Sequence, residues 1–160
     1  LGTALMSLLK RTAACLRIWG DELIPDELSH ALGAQPSFSH LKGDTIVVNA
    51  RTGAARIAKT GTWHLKAEQR TPGYLDEQID ELFAQLSHDP ALWASLQSRF
   101  ELDLYCGLFM DTSNDSSAIS PRNMRLLGER GIELLLEIYD PTREAAGIGR
   151  FRLGRLKRHR

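Results

Sequence analysis

Apolar side chains recur at every second position through Leu102, Leu104, Cys106, Leu108 and Met110. A period of two is that of a strand with one buried face. After a polar loop, Ser120 precedes Pro121, an N-cap residue followed by a proline at the first helical position, and Met124 and Leu127 supply the apolar stripe of a short helix that Gly131 stops. Ile132, Leu134, Leu136 and Ile138 then alternate again, and Asp140 with Pro141 closes the run. Residues 100–140 therefore predict a strand, helix, strand unit. Such a unit demands a sheet with a helix packed on it, which sets the fold class.

The same grammar occurs near the start. Leu16 and Ile18 alternate with Arg17 and Trp19, Gly20 and Asp21 turn the chain, and Pro25 opens a helix with Asp26 and Glu27 in its first turn, Leu28 and Leu32 on one face and Gly33 as its stop. Strand, proline-started helix and glycine thus recur as an internal pseudo-repeat. Residues 34–61 carry loop signals, with Thr45, Ile46, Val47, Val48 and Asn49 as an edge strand among them. Trp63 and Leu65 alternate with His64 and Lys66, which predicts another strand. Leu75, Ile79, Leu82, Phe83 and Leu86 give the cleanest helical stripe, and Asp89 with Pro90 starts a further helix that faces Trp93 and Leu96 inward.

The chain's 160 residues suffice for one domain with a core and are too few for two. Its 20 acidic residues balance its 20 basic ones, so the overall basic excess usual in nucleic-acid and membrane binders is missing. The balance is uneven along the chain. Arg143, Arg150, Arg152, Arg155, Lys157, Arg158 and Arg160 face only Glu144, a basic tail expected to be mobile. Residues 1–14 read as an N-terminal extension, 15–140 as a single domain and 141–160 as that tail. Lys10 and Arg11 follow the leucines at the N-terminus, the reverse of a secretory signal, and no run reaches the roughly 20 apolar residues of a membrane span. Cys15 and Cys106 both sit in strand-like apolar runs, where reduced thiols behave as small hydrophobes of a cytoplasmic protein.

With these pieces placed, the chain resembles a family of uncharacterised bacterial domains, number 4279 among the domains of unknown function. The likeness is carried by the run from Leu16 to Gly20 with Asp21, by residues 25–33 followed by Pro36, by Lys42 with Gly43, by residues 59–63 and 104–109, by Ser120 with Pro121, and by residues 134–139. The resemblance implies a compact mixed domain and brings no catalytic residues with it. Ile24 stands where a polar residue is expected before Pro25, so Asp21 or water is left to cap the first helix.

The motifs that carry chemistry elsewhere are incomplete. Asp111, Ser113 and Asp115 have the spacing of a calcium loop, but Ser116 and Arg122 replace its glycine and glutamate. His30, His40, His64, His88 and His159 form no pair at helical spacing and meet no cysteine cluster, so no metal site and no cofactor site are predicted. An acid/base enzyme would have to combine His64, Asp103, Glu133 and Glu137, all on the outward side of the sheet.

That outward side is the main inference. If the leucines and isoleucines of the strands meet the helices, alternation sends Arg17, Trp19, His64, Lys66, Asp103, Tyr105, Phe109, Glu133, Glu137 and Tyr139 to the opposite face. Aromatic residues with arginine are enriched at interface cores, so the face is expected either to dock a partner or to be covered by the C-terminal segment or by residues 34–61 of the same chain. The sequence thus predicts an α+β two-layer sandwich with a mixed sheet of four or five strands, helices on one face and right-handed crossovers, in a ferredoxin-like or related arrangement. The function it favours is a non-enzymatic protein-interaction module, immunity or partner binding among its forms, docking a protein partner or a second copy. Nucleic-acid binding through the tail and the sheet aromatics ranks second, opposed by Asp103, Glu133 and Glu137. A small enzyme with an unrecognised site ranks third.

Overall fold

The structure, a computed structural model, describes residues 8–140. The basic tail and the chain before Leu8 lie outside the described residues. The chain forms β1 (Arg11–Gly20), α1 (Pro25–Leu32), β2 (Phe38–His40), β3 (Thr45–Asn49), β4 (Ala54–Ile57) and β5 (Gly61–Lys66). It continues through α2 (Leu75–Ala84), α3 (Pro90–Arg99), β6 (Glu101–Phe109), α4 (Pro121–Glu129) and β7 (Glu133–Tyr139). Five strands make one mixed sheet in the order β2-β5-β1-β6-β7, and β3 pairs with β4 as a separate ribbon. The α+β two-layer sandwich is the fold observed.

Strand β1 is central, antiparallel to both β5 and β6. Strands β6 and β7 run parallel and pair directly across the α4 crossover, with no strand inserted between them as a split βαβ unit would have. The two strand-and-helix units therefore share their local grammar and differ in how the chain returns: β5 comes back antiparallel to β1, whereas β7 comes back parallel to β6.

Leu16, Ile18, Trp63, Leu65, Leu102, Leu104 and Ile132 all join the buried core, where they meet Ile79, Leu82, Phe83, Trp93 and Leu96 from the helices. The two indoles carried inward are satisfied: Trp63 Nε1 donates to Ser29 Oγ at 3.0 Å and Trp93 Nε1 to the Ser87 carbonyl at 2.8 Å. Helix starts follow the sequence signals. Ser120 Oγ accepts from the Asn123 amide and Asp89 Oδ1 from that of Ala91, while α1 begins at Ile24 without a side-chain cap. Gly33 takes the left-handed conformation, φ 76°, that ends α1 without a Cβ penalty.

Several expectations need correction. Strand β1 begins at Arg11, ahead of Cys15, because β6 is long enough to pair with it as far as Phe109; part of the stretch read as an extension is thus strand. Residues 34–61 are no plain loop with one edge strand. Strands β2 and β5 pair, the Gly43 amide donates to the Ala58 carbonyl and the Ala58 amide to that of Asp44, and β3 pairs with β4. Together they form one long hairpin whose outer part is an arm beyond the main sheet. Met124 is exposed, and the position facing the helix layer is taken by Asn123, whose Nδ2 donates to the Asp80 carboxylate at 2.9 Å. Cys15 and Cys106 are free thiols. They lie on adjacent strands, but the register pairs Cys15 with Tyr105 and Ala14 with Cys106, so the thiols point to opposite faces of the sheet.

Candidate functional site

Helices α1, α2 and α4 pack against β5, β1 and β7 on one face. The opposite, outer face is organised in cross-strand rows set by the register. One row runs Phe38, His64, Arg17, Asp103, Glu133 from β2 to β7; a second holds Lys66, Cys15, Tyr105 and Leu135; a third sets Arg11, Phe109 and Tyr139 side by side. Trp19 lies in the row of Thr62 and Glu101, and Glu137 in that of Gly107. All the residues assigned to the outward face by alternation therefore share it.

The centre of this face is buried. Arg17, 7% exposed, grips Asp103 with two parallel hydrogen bonds, Nε to Oδ1 at 2.7 Å and Nη2 to Oδ2 at 2.5 Å. Burial alone would lower the guanidinium pKa, and the Asp103 carboxylate more than reverses that, so the group is held above its ordinary value. A bidentate pair this dry is fixed in position, since either charge alone would be costly to leave there. Arg17 also lies over the Tyr105 ring at 4.9 Å and the Trp19 ring at 5.8 Å.

Tyr105, 2% exposed, donates its hydroxyl to Glu137 Oε2 and lies 3.0 Å from the Tyr139 hydroxyl. Burial first, and the hydrogen bond to the Glu137 carboxylate second, push the Tyr105 phenol well above its ordinary value. It stays a donor at physiological pH. Tyr139 stacks on Phe109 with centroids 4.4 Å apart and planes 4° from parallel, and the Arg11 guanidinium lies 3.5 Å from the Phe109 centroid. His64 is lowered to about 4, by burial first and then by the charges of Arg17, Lys66 and His40. Its ring is neutral at neutral pH, and Nδ1 has no hydrogen-bond partner among the described residues.

Around that centre the rim is accessible: Lys66 and Glu133 are exposed, and Trp19, Glu137 and Tyr139 are half-buried. The four acid/base candidates are not assembled into one site. Strand β1 separates His64 from Asp103, Asp103 is engaged by Arg17, and Glu137 by Tyr105. Among the described residues no group of His, Cys, Asp and Glu is placed to hold a metal ion, and no helix is long and apolar enough to cross a membrane. A cavity between α1 and α3, on the helix side, is lined mainly by apolar groups such as Ile24, Leu28, Leu92, Leu96 and Phe100.

Alternation could not find Arg11 once β1 was started at Cys15, although strand parity places it on this face. Nor could it find the Arg17 to Asp103 and Tyr105 to Glu137 contacts, which depend on which strands are neighbours.

A family model described as a domain of unknown function (DUF4279) matches residues 10–141. No curated protein and no solved structure matches the chain.

Proposed function

The chain belongs to this domain-of-unknown-function family, DUF4279, and from that premise we propose that it is a non-enzymatic protein-interaction module that binds through the outer face of its sheet. The observation that carries the reading is an aromatic and charged rim, Trp19, Lys66, Glu133, Glu137 and Tyr139, held around a buried centre of hydrogen-bonded charges. Tryptophan, tyrosine and arginine are the side chains most often found at the energetic centres of protein interfaces. A rim whose neighbours are already locked loses little conformational freedom on binding, which favours affinity. The chemistry fits a protein surface better than a nucleic acid, because Glu101, Glu133 and Glu137 stand on the same face and would repel phosphates. It fits catalysis poorly, because the titratable groups are tied to one another instead of converging on a vacant reacting position.

The test is capture of partners and measurement of assembly state with the intact chain and with Trp19→Ala and Tyr139→Ala, each checked for an unchanged fold by circular dichroism. Loss of a partner or of an assembly in either variant supports the reading. If both variants keep every partner and the same assembly state, the outer face is not the binding surface.

A further inference from the structure

Strand β7 ends the main sheet, and no strand among the described residues pairs with its far side. An open edge is a template for another extended chain, and proteins blunt it by shortness, by lysine or proline, or by a bulge. The β2 edge is blunted, being three residues long. Strand β7 is not. It runs for seven residues without proline, glycine or lysine, and its register with β6 is unbroken from Glu133 to Tyr139. One bond fixes which way its main chain faces. The Met110 amide donates to the Tyr139 carbonyl, so Tyr139 and, by alternation, Glu137 and Leu135 turn their peptide groups toward β6, while Leu134, Leu136 and Ile138 turn theirs to the open side.

The same three residues carry their side chains on the helix-facing side, where the helix layer covers only the first of them. Leu134 packs on the core, whereas Leu136 is 46% and Ile138 64% exposed. Open donors and acceptors therefore coincide with bare aliphatic groups, and the edge is its own complement. Laid antiparallel against a second copy about a twofold axis through Leu136 and perpendicular to the sheet, Leu136 faces the copy's Leu136 and Leu134 faces its Ile138, each pair exchanging amide and carbonyl. The two aliphatic patches then merge into one. On the outer side Glu133 falls opposite Tyr139 and Glu137 opposite Leu135. The register is specified as well as the partner. A slide of one residue would set open peptide groups against ones already turned to β6, and a slide of two would set Glu137 against the copy's Glu137 or Glu133, like charges that destabilise a cross-strand pair.

We infer that this chain dimerises by antiparallel pairing of β7 with the β7 of a second copy, so that one sheet runs through both chains across a twofold axis at Leu136. The inference goes beyond the role given above to the outer face and does not depend on it, since the ladder lies at the sheet edge while Trp19 and Lys66 stand on β1 and β5. Each copy brings one such edge, which closes the assembly at two. A strip seven residues long buries less than the about 800 Å2 per partner of a stable interface, so the dimer dissociates on dilution.

Sedimentation equilibrium of the full chain over a concentration series is expected to pass from the mass of one chain to that of two. Hydrogen exchange reads the geometry. The amides of Leu134, Leu136 and Ile138 are expected to gain protection as concentration rises, and those of Leu135, Glu137 and Tyr139 to be protected throughout. Leu136→Pro removes an amide that faces away from β6, where an edge strand tolerates proline, and is expected to raise the dissociation constant roughly tenfold or more. Ile138→Lys, at an exposed position, is expected to do the same with unchanged circular dichroism. Leu136→Cys is expected to give a covalent dimer on mild oxidation, because opposed hydrogen-bonded residues lie about 5.5 Å apart, and Ile138→Cys is not. The native Cys15 and Cys106 are buried and do not compete. A chain that is monomeric at every concentration overturns the inference, and protection of the three open amides in that monomer would show the edge covered by another segment of the same chain. A dimer that neither Leu136→Pro nor Ile138→Lys weakens overturns the edge geometry. Either failure leaves Trp19-dependent capture of a different protein untouched, so the outer-face reading stands or falls separately.

Discussion

Asp103 holds the outer face together, because taking away its carboxylate leaves the Arg17 guanidinium buried without a counter-charge. Asp103→Ala is expected to lower the unfolding free energy by about 3–5 kcal/mol, read by urea denaturation. Arg17→Met combined with Asp103→Leu should recover most of that loss, since an apolar pair of similar volume leaves no charge to solvate. His64 makes a different prediction. Its folded pKa of about 4 lies below the ordinary 6.5, so between those values the unfolded chain binds the proton first. The stability contributed by the neutral ring is complete above pH 6.5 and falls away toward pH 4, by about 3 kcal/mol at most. In His64→Asn the slope of stability against pH across that window should flatten, and an unchanged slope would locate the titrating group elsewhere. Which side of the sheet these residues occupy was legible in the sequence, since it needs only the alternation of Leu16, Arg17, Ile18 and Trp19. That Arg17 meets Asp103 was not, because the pair is 86 residues apart and only the pairing of β1 with β6 joins them.

The elements with one buried face were the legible ones. Strands β5 and β6, helices α2 and α3, and the unit from β6 to β7 all advertise their cores as apolar positions at the period of two or 3.6. Strands β2 and β4 were missed for the converse reason. Phe38 and Ser39 are exposed and all of β4 is exposed, so neither carries a hydrophobic pattern, and the register shift between Val47 and Asn49 breaks what regularity the arm has. The helix signals were read from capping chemistry, and they can be tested directly. Ser120 Oγ accepts the Asn123 amide at the start of α4, so Ser120→Ala should cost about 1 kcal/mol in thermal or urea unfolding. The loss should be felt first at β7, which α4 delivers to the sheet edge. Amide exchange in β7 faster than in β1 would show it. Met124 misled the sequence reading because a helix this short can turn a polar residue inward where a partner waits, and Asp76 and Asp80 wait for Asn123.

At the scale of the molecule, the sheet separates two tasks. Its inner face and the helices make the core, and its outer face carries the charges and rings through which the chain is proposed to associate. The strand order has a further consequence. Strand β1 sits at the middle of the sheet, yet both of its neighbours, β5 and β6, come later in the chain. As the ribosome adds residues, β1 is made before β5 and β6, so until they follow both rows of its main-chain amides and carbonyls stay open to water and to any passing extended peptide. The central strand takes its place in the sheet only once β6 has been added, so the exposure of its edges belongs to translation and not to the finished fold.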